Sequence, residues 1–137
     1  MIDCLFCAHA YESVFEDDVV AVVLHEDWAV RGHAMVAVKR HVENVADLTA
    51  GELQHFARVY QIAERALLAE TGAERAIMMK LGIATPHLHV HIYPVAATAS
   101  REQVMAVIDA RTKDAYDARF VDALRNRLRL DRARSTE

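Results

Sequence analysis

The sequence lacks an excess of positive charge, a long apolar run and more than two cysteines, and each absence excludes a class of protein. The 137 residues carry a net charge of −4 at pH 7, so a broad basic surface that holds nucleic acid through counterion release is not expected. No window approaches the roughly 18 consecutive apolar residues of a membrane span. We therefore expect neither a nucleic-acid partner nor a membrane.

The first ten residues also lack the pattern of a secretory signal. They contain Asp3 and no basic cluster, and their apolar stretch is short. We therefore expect a cytoplasmic protein. In that compartment Cys4 and Cys7 are expected to stay reduced, so a disulfide between them is not predicted.

Apolar residues at 53% and charged residues at 26%, with both signs mixed along the chain, are typical of a soluble globular protein. The length suits one domain with one core, and we find no repeat, linker or low-complexity segment. The sequence predicts a single domain over residues 1–137, with a core at 4–94 and a helical extension at 100–130.

Periodic apolar residues predict both strands and helices. Residues 14–16 and 19–24 flank an acidic turn and are expected to be strands, as are residues 34–38, 76–79 and 87–93. Thr49 and Glu52 fit a capping box at the start of a long helix that Gly72 ends. A second such pattern at 100–103 opens a short helix, and a last helix is expected to carry Tyr116, Phe120, Leu124 and Leu128. The prediction is an α+β fold with a mainly antiparallel sheet of about five strands.

Three histidines alternate with apolar residues at 87–91. Because side chains alternate across a strand, His87, His89 and His91 are expected on one face, with neighbours roughly 6.5–7 Å apart. One small anion could then contact more than one ring. The spacing fits a solvated strand face, a metal site or a histidine nucleophile, and it does not choose among them.

Cys4 and Cys7 form a Cys-x-x-Cys pair. A thioredoxin-like redox pair belongs to a βαβ unit, and none is predicted here. The pair also fits two unrelated buried cysteines, or half of a zinc site whose other two ligands come from elsewhere. The spacing leaves these alternatives open.

Several segments together resemble one protein family. Residues 87–93, His-Leu-His-Val-His-Ile-Tyr, resemble the His-φ-His-φ-His-φ-φ signature of the histidine triad (HIT) family of nucleotide hydrolases and transferases. Residues 15–18, 32–41 and 47–48 resemble further family landmarks in the same order, and residues 81–89 resemble a bacterial branch with Leu-Gly-x-x-x-Pro-His-Leu-His. The resemblance covers residues 4–94 and implies a HIT-like fold.

The resemblance implies that His89 is a nucleophile that attacks the α-phosphorus of a nucleotide and forms a nucleotidyl-histidine intermediate. His91 would donate a hydrogen bond to the phosphoryl oxygens. The implied enzyme cleaves nucleoside 5′-phosphoric anhydrides or phosphoramidates, with an AMP-containing purine nucleotide as the expected substrate. The alternatives are a nucleotide-binding or scaffold protein with weak catalysis and a metallohydrolase with an open metal.

HIT proteins with this N-terminal cysteine pair complete a tetrahedral zinc site with two histidines. The resemblance therefore implies a structural Zn²⁺ held by Cys4, Cys7, His41 and His87. Four protein ligands leave no position for activated water, so this metal would brace the histidine strand and perform no chemistry.

Substrate contacts are predicted from the resemblance at Phe6, Phe15 and Asp27 for the nucleoside, and at Lys80, Thr85 and His91 for the phosphates. Residues 80–86 are shorter and more apolar than the phosphate-holding stretch of many HIT enzymes.

His33 is expected to support the loop beside the site, Trp28 to pack in the core or a dimer contact, and His25 to be a surface or satisfied histidine. The resemblance also implies a homodimer formed through the long helix and a neighbouring strand.

Overall fold

Five short apolar segments of the chain pair into one sheet in the computed structural model, which describes residues 4–25 and 27–135. The strand order is β1-β2-β3-β5-β4, and every neighbouring pair is antiparallel. The strands are β1 (Ser13–Glu16), β2 (Val20–Leu24), β3 (Ala34–Val38), β4 (Arg75–Met79) and β5 (His89–Val95). This confirms the predicted α+β class with five antiparallel strands.

The hairpin between β1 and β2 is closed by the side chain of Asp17 and by its backbone N–H, which donates to the Val20 carbonyl at 3.0 Å. Asp17 Oδ1 accepts hydrogen bonds from the backbone N–H groups of Val19 and Val20, at 2.9 and 2.8 Å. A short carboxylate that binds the backbone two or three residues ahead stabilises a turn locally. Asp17, the first residue of the acidic pair, therefore stabilises the first turn of the sheet.

Helix α1 (Ala50–Thr71) begins and ends where the sequence predicts. Thr49 and Glu52 form the reciprocal capping box, and Gly72 ends the helix in the left-handed conformation with φ of 74°. The apolar face of α1 packs on one side of the sheet, where it contacts alternate residues of β5 such as Val90 and Ile92.

Two further helices follow the sheet. Helix α2 (Arg101–Ile108) starts at the predicted capping box of Ser100 and Gln103, and α3 (Ala118–Ser135) packs against α1 and β1. Phe120, Leu124 and Leu128 enter the core as predicted, whereas Tyr116 lies before α3 and is 53% exposed. Helix α3 continues past residue 130, where the predicted extension ends.

Strand β5 differs from its prediction at both ends. It begins at His89, so His87 precedes the strand, and it continues through Pro94 to Val95. Pro94 lacks a backbone N–H, but β5 pairs with β3 only as far as Ile92. Beyond Ile92, β5 is hydrogen-bonded to β4 alone, so a proline is tolerated there. The predicted strand over 87–93 was therefore placed two residues too early.

The two faces of the sheet are covered by different parts of the chain. Helices α1 and α3 cover one face, and the N-terminal turn with Cys4 and Phe6 packs on the other, against Val23, Met35 and Ala37. All five residues of β3 are buried for this reason. Within residues 4–25 and 27–135, no helix is both long and apolar enough to cross a membrane.

Gly32 is a sensitive point of this packing, since it has a φ of +83° and a Cβ there would lie 2.9 Å from Thr71 Cγ2 and 3.2 Å from Phe120 Cζ. We predict that Gly32→Ala lowers the free energy of unfolding by about 2–4 kcal/mol, from the left-handed backbone and the overpacking together. Urea denaturation measures this change.

Gly51→Ala is the matched control, because Gly51 lies in the first turn of α1 and a Cβ there meets nothing within 4 Å. The control should leave stability unchanged or raise it by up to about 1 kcal/mol. Equal effects of the two substitutions would contradict the packing described for Gly32.

Candidate active site and metal site

Four histidines project from the sheet face opposite α1. His89 and His91 lie on β5, His33 immediately precedes β3, and His25 immediately follows β2. Val23, Met35 and Ala37 line this face of the sheet. Because side chains alternate along a strand, all four histidines lie on the same side as these residues. The ring centroids of His89 and His91 are 5.2 Å apart, and those of His33 and His91 are 5.1 Å apart.

The ring of His89 is held in one tautomer. Its Nδ1–H donates to the backbone carbonyl of His87 at 2.6 Å, so the lone pair resides on Nε2. The ring is only 7% exposed and packs on Phe6 with centroids 4.7 Å apart. Burial lowers the pKa of His89, the hydrogen bond to His87 raises it, and the positive charge of Lys80 lowers it again, with a net decrease. A neutral imidazole with a fixed lone pair is the form that a nucleophile requires.

His33 orients His91. His33 Nε2 lies 2.9 Å from His91 Nδ1, so a hydrogen bond between the two rings fixes the orientation of His91. When the proton of this bond is on His33 Nε2, His91 carries its own proton on Nε2 and can donate it to an anion.

Both of these rings are neutral at pH 7. Burial lowers the pKa of His33 to about 2, and the neighbouring His25 and His91 act in the same direction. Burial likewise lowers the pKa of His91 to about 4, again assisted by the adjacent His89 and His25. The site therefore offers hydrogen-bond donors and a lone pair, and no fixed positive charge on these rings.

His25 also belongs to the histidine face, although it was predicted to be a surface or satisfied histidine. Its ring stacks on His33, with centroids 4.6 Å apart and planes at 7°, and it lies 5.9 Å from His91. His25 Nδ1 is 2.7 Å from the carbonyl oxygen of Asp27. The alternation of side chains along β2 predicts this position, because His25 lies two residues after Val23 and therefore faces the same side of the sheet.

A second cluster lies behind His89. Cys4, Cys7, His41 and His87 bring one donor atom each to within 4.8 Å of one another. His87 Nδ1 lies 3.3 Å from Cys4 Sγ, 3.5 Å from Cys7 Sγ and 3.0 Å from His41 Nδ1. A zinc tetrahedron with metal–sulfur distances of about 2.3 Å and metal–nitrogen distances of about 2.0–2.1 Å has edges of about 3.3–3.8 Å. The donor types and their spacing therefore fit Zn²⁺, and these four residues form a candidate metal site.

The backbone brings the four donors together. The N-terminal turn is closed by the Ala8 N–H, which donates to the Cys4 carbonyl at 2.9 Å. The segments that carry His41 and His87 are joined by the Leu88 N–H, which donates to the Val42 carbonyl at 2.6 Å. The predicted ligand set is thus assembled from three segments that are distant in sequence.

The tautomer of His87 also suits a metal ligand. Its Nε2–H donates to the Val38 carbonyl at 2.5 Å, which leaves Nδ1 with a lone pair towards the cysteines. His87 is 1% exposed. The same residue therefore presents its ring to the candidate metal site and its carbonyl to His89.

The predicted substrate residues lie in different places. Phe6 contacts the His89 ring, Lys80 is exposed near enough to influence the His89 pKa, and Asp27 is exposed beside His25. Thr85 is half-buried, two residues before His87. Phe6, Lys80 and Asp27 therefore lie near the histidine face.

Phe15 lies elsewhere, and the structure does not support its predicted contact with the nucleoside. Its partner in the sheet is Val22, which faces α1, and Arg132 stacks over the Phe15 ring at 4.6 Å. The ring borders a cavity of about 170 Å³ on the helix side. The β-bulge between Ser13 and Phe15 changes the alternation of β1, which the sequence pattern does not reveal.

A larger cavity of about 440 Å³ adjoins the histidines. Its lining combines apolar, aromatic and polar side chains: Leu5, Ala10, Tyr11, Glu12, Leu24, His25, Met35 and Tyr116. Trp28 is not among them, because it is 2% exposed and packs in the core as expected.

Comparison with known proteins agrees with this arrangement. A HIT domain model matches residues 9–98. A zinc-bound histidine triad family protein from Mycobacterium smegmatis has 23% identity and a TM-score of 0.69, over 96% of this chain and 97% of that one. A histidine triad nucleotide-binding protein from Sulfolobus tokodaii has 21% identity and a TM-score of 0.67, over 93% and 91%.

A histidine triad protein from Bradyrhizobium japonicum has 22% identity and a TM-score of 0.69, over 88% of this chain and 92% of that one. These structures share the fold, and the matched region contains the three histidines of residues 87–91 together with His41. The chain therefore belongs to the histidine triad (HIT) family.

Proposed function

We propose that this protein is a hydrolase that cleaves nucleoside 5′-phosphoric anhydrides or phosphoramidates through a covalent intermediate on His89. The observation that carries the proposal is the 2.6 Å hydrogen bond from His89 Nδ1–H to the His87 carbonyl, which keeps the lone pair on Nε2. Such a ring needs no separate base to become nucleophilic.

The reaction has two displacements at phosphorus. His89 Nε2 attacks the α-phosphorus while the bond to the leaving group breaks, and the leaving group departs with a proton from solvent. Water then attacks the same phosphorus, the phosphorus–nitrogen bond breaks, and a nucleoside monophosphate is released. His91 Nε2–H, oriented by His33, donates to a non-bridging oxygen, where charge is held in the transition state.

Contacts to the rest of the substrate follow from the surface around the histidines. Lys80 supplies positive charge near His89, and Thr85 supplies a hydroxyl for the phosphates. Phe6 supports the nucleophile ring and borders the nucleoside, and Asp27 accepts from a ribose hydroxyl. We propose a purine nucleotide that contains AMP as the substrate.

The candidate metal site stabilises the nucleophile from behind. A bound Zn²⁺ would be held by Cys4, Cys7, His41 and His87 and would supply a structural cross-link. His89 is not part of that donor cluster, so the geometry favours a histidine nucleophile over a metallohydrolase. Since both cysteines must be thiolates to bind metal, we propose that the protein works in the reducing cytoplasm.

A catalytically weak nucleotide-binding or scaffold protein is the second candidate. The loop before the histidines favours it, because Ile83 is 84% exposed and Leu81 is 47% exposed where a phosphate-holding loop would present polar groups. This alternative predicts nucleotide binding without turnover.

We also propose a homodimer. Strand β4 is an edge strand of the sheet, and its Met78 is 58% exposed. An edge strand with an exposed apolar residue is suited to pairing with a second copy. The strand lies at the sheet edge beside β5, so such pairing would place two histidine sites on one continuous sheet.

We predict that His89→Ala lowers turnover of adenosine 5′-phosphoramidate by at least about 10³-fold, because the attacking atom is lost. AMP binding by isothermal titration calorimetry should stay within about threefold of wild type. Steady-state kinetics of both proteins measure the change in turnover.

His55→Ala is the control for this experiment, since His55 pairs with Asp17 on the helix side of the sheet. It should retain wild-type kinetics. Unchanged turnover in His89→Ala would contradict the mechanism, and AMP binding by a wild-type protein that turns over none of the substrates would select the scaffold alternative.

The neutral histidines predict a pH-dependent stability. The pKa values of His33 and His91 are lowered to about 2 and about 4, whereas a histidine in the unfolded chain has a pKa near 6.5. The unfolded state therefore binds more protons below that value, and stability falls as the pH falls. From pH 6.5 to pH 5, each ring should reduce the free energy of unfolding by about 1.6 kcal/mol.

Replacing one of these rings removes its share of the pH dependence. The decrease in unfolding free energy between pH 6.5 and pH 5 should be about 1.6 kcal/mol smaller in His33→Gln than in wild type. Urea denaturation at the two pH values measures it. An identical decrease in both proteins would show that His33 is not buried in its neutral form.

The candidate metal site predicts that substituting one of its ligands abolishes Zn²⁺ retention. Wild-type protein should retain Zn²⁺ through dialysis, and Cys7→Ala should not, because three ligands remain and the thiol removed is an exposed one. At a free Zn²⁺ concentration 100 times the Kd, the metal adds about 2.7 kcal/mol of stability.

Elemental analysis and thermal unfolding with and without a chelator measure both effects. The chelator should lower the Tm of wild type and leave that of Cys7→Ala unchanged. Equal Zn²⁺ content in the two proteins would show that Cys7 is not a ligand.

A further inference from the structure

The segment between α2 and α3, residues 109–117, lies outside the region that the HIT domain model matches. It is fixed to the loop that follows β2. The Asp114 N–H donates to the Trp28 carbonyl at 2.7 Å, and Thr112 Oγ1 donates to the Ala29 carbonyl at 2.5 Å. Arg31 pairs with Asp117 at 2.9 Å. The segment is therefore attached to the same loop that joins His25 to His33.

Tyr116 is the aromatic residue that this segment presents. Its ring packs against Trp28, with centroids 5.5 Å apart, and its hydroxyl donates to Glu12 Oε1 at 3.0 Å. Arg125 lies 3.7 Å from the same carboxylate oxygen. Two contacts therefore hold the ring in place, although the residue is 53% exposed. A fixed aromatic ring with an open face is suited to stacking.

Tyr116 and Glu12 line the cavity of about 440 Å³ together with Tyr11, His25 and Met35. The cavity adjoins the histidine face through two of its lining residues, because His25 lies 5.9 Å from His91 and Met35 pairs directly with His91 in the sheet. From β5 across β3 to β2 is two strand spacings, roughly 10 Å. A nucleotide with its phosphate at His91 can therefore extend its base towards this wall.

We propose that Tyr116 and Glu12 determine the base specificity of the site, an inference that rests on the proposed nucleotide hydrolase function. The Tyr116 ring stacks on the base. The Glu12 carboxylate accepts a hydrogen bond from an exocyclic amino group, so the site selects adenine over hypoxanthine, which carries an oxygen at that position. A Glu12 carboxylate oxygen that faces the base oxygen of hypoxanthine meets an acceptor where adenine presents a donor, which disfavours hypoxanthine.

The test compares the 5′-phosphoramidates of adenosine and inosine as substrates. Tyr116→Ala should raise KM for both substrates by about tenfold and keep kcat within about twofold. The reason is that stacking stabilises the bound substrate and the transition state equally, so its loss weakens binding without slowing the bound substrate's reaction. Glu12→Gln should reduce the preference for adenosine by about tenfold, since an amide can also donate to the base oxygen. Tyr116→Phe, which keeps the ring, should have a KM between those of wild type and Tyr116→Ala.

Met105→Ala is the matched control, because Met105 lies on α2 and does not line the cavity. It should retain both KM values. Calorimetric binding of AMP and IMP to each variant gives the same comparison without turnover.

The outcomes separate this inference from the proposed function. A wild-type protein that turns over the substrates, with unchanged KM and AMP binding in Tyr116→Ala, would overturn the specificity role and leave the hydrolase intact. A lower Tm in Tyr116→Ala with unchanged KM would overturn it as well, because the residue would then be structural only. A wild-type protein that neither binds AMP nor turns over either substrate would overturn the hydrolase function itself.

Discussion

The hydrogen bond from His89 to the carbonyl of His87 is the interaction on which the rest of the site depends. It has this role because His87 is held from two other directions: its ring donates to Val38 and faces the cysteine pair. A carbonyl on a mobile segment could not fix a tautomer. Since His87 precedes β5, its position depends on these side-chain contacts together with the backbone hydrogen bond from the Leu88 N–H to the Val42 carbonyl. The candidate metal site thus lies directly behind His89, the proposed nucleophile.

The histidine face works without fixed charge on the buried rings. Histidines close together in a buried environment disfavour protonation of one another, so burial and proximity act in the same direction on His33 and His91. A protonated ring would attract a phosphate but could not attack it. In the proposed mechanism the positive charge comes instead from the exposed Lys80. This separation would keep the lone pair available while an anion is still attracted to the site.

Much of the fold and part of the site could be predicted from the sequence. The capping box of Thr49 and Glu52 and the alternating histidines are local signals, and local physics determines them. The four metal-site residues were predicted only through a family resemblance, because their donors meet across three distant segments. The prediction for Phe15 failed because a β-bulge turns its side chain to the other face of the sheet. The prediction for Tyr116 failed because residues 109–117 have no periodic pattern and lie between two helices. His25 could have been found from alternation, had β2 been extended by one residue.

Chemistry and selectivity are carried by different kinds of structure. His89 and His91 lie where β5 is paired with β3, and His91 is also opposite Met79 of β4, so the proposed reacting groups are on a strand held from both sides. Tyr116, Asp27 and Lys80 come from loops around that strand. Loops tolerate substitution better than paired strands. If the proposed function holds, changes at the wall of the cavity can therefore alter which base is bound without moving His89. A change at His87 would instead alter both the candidate metal site and His89.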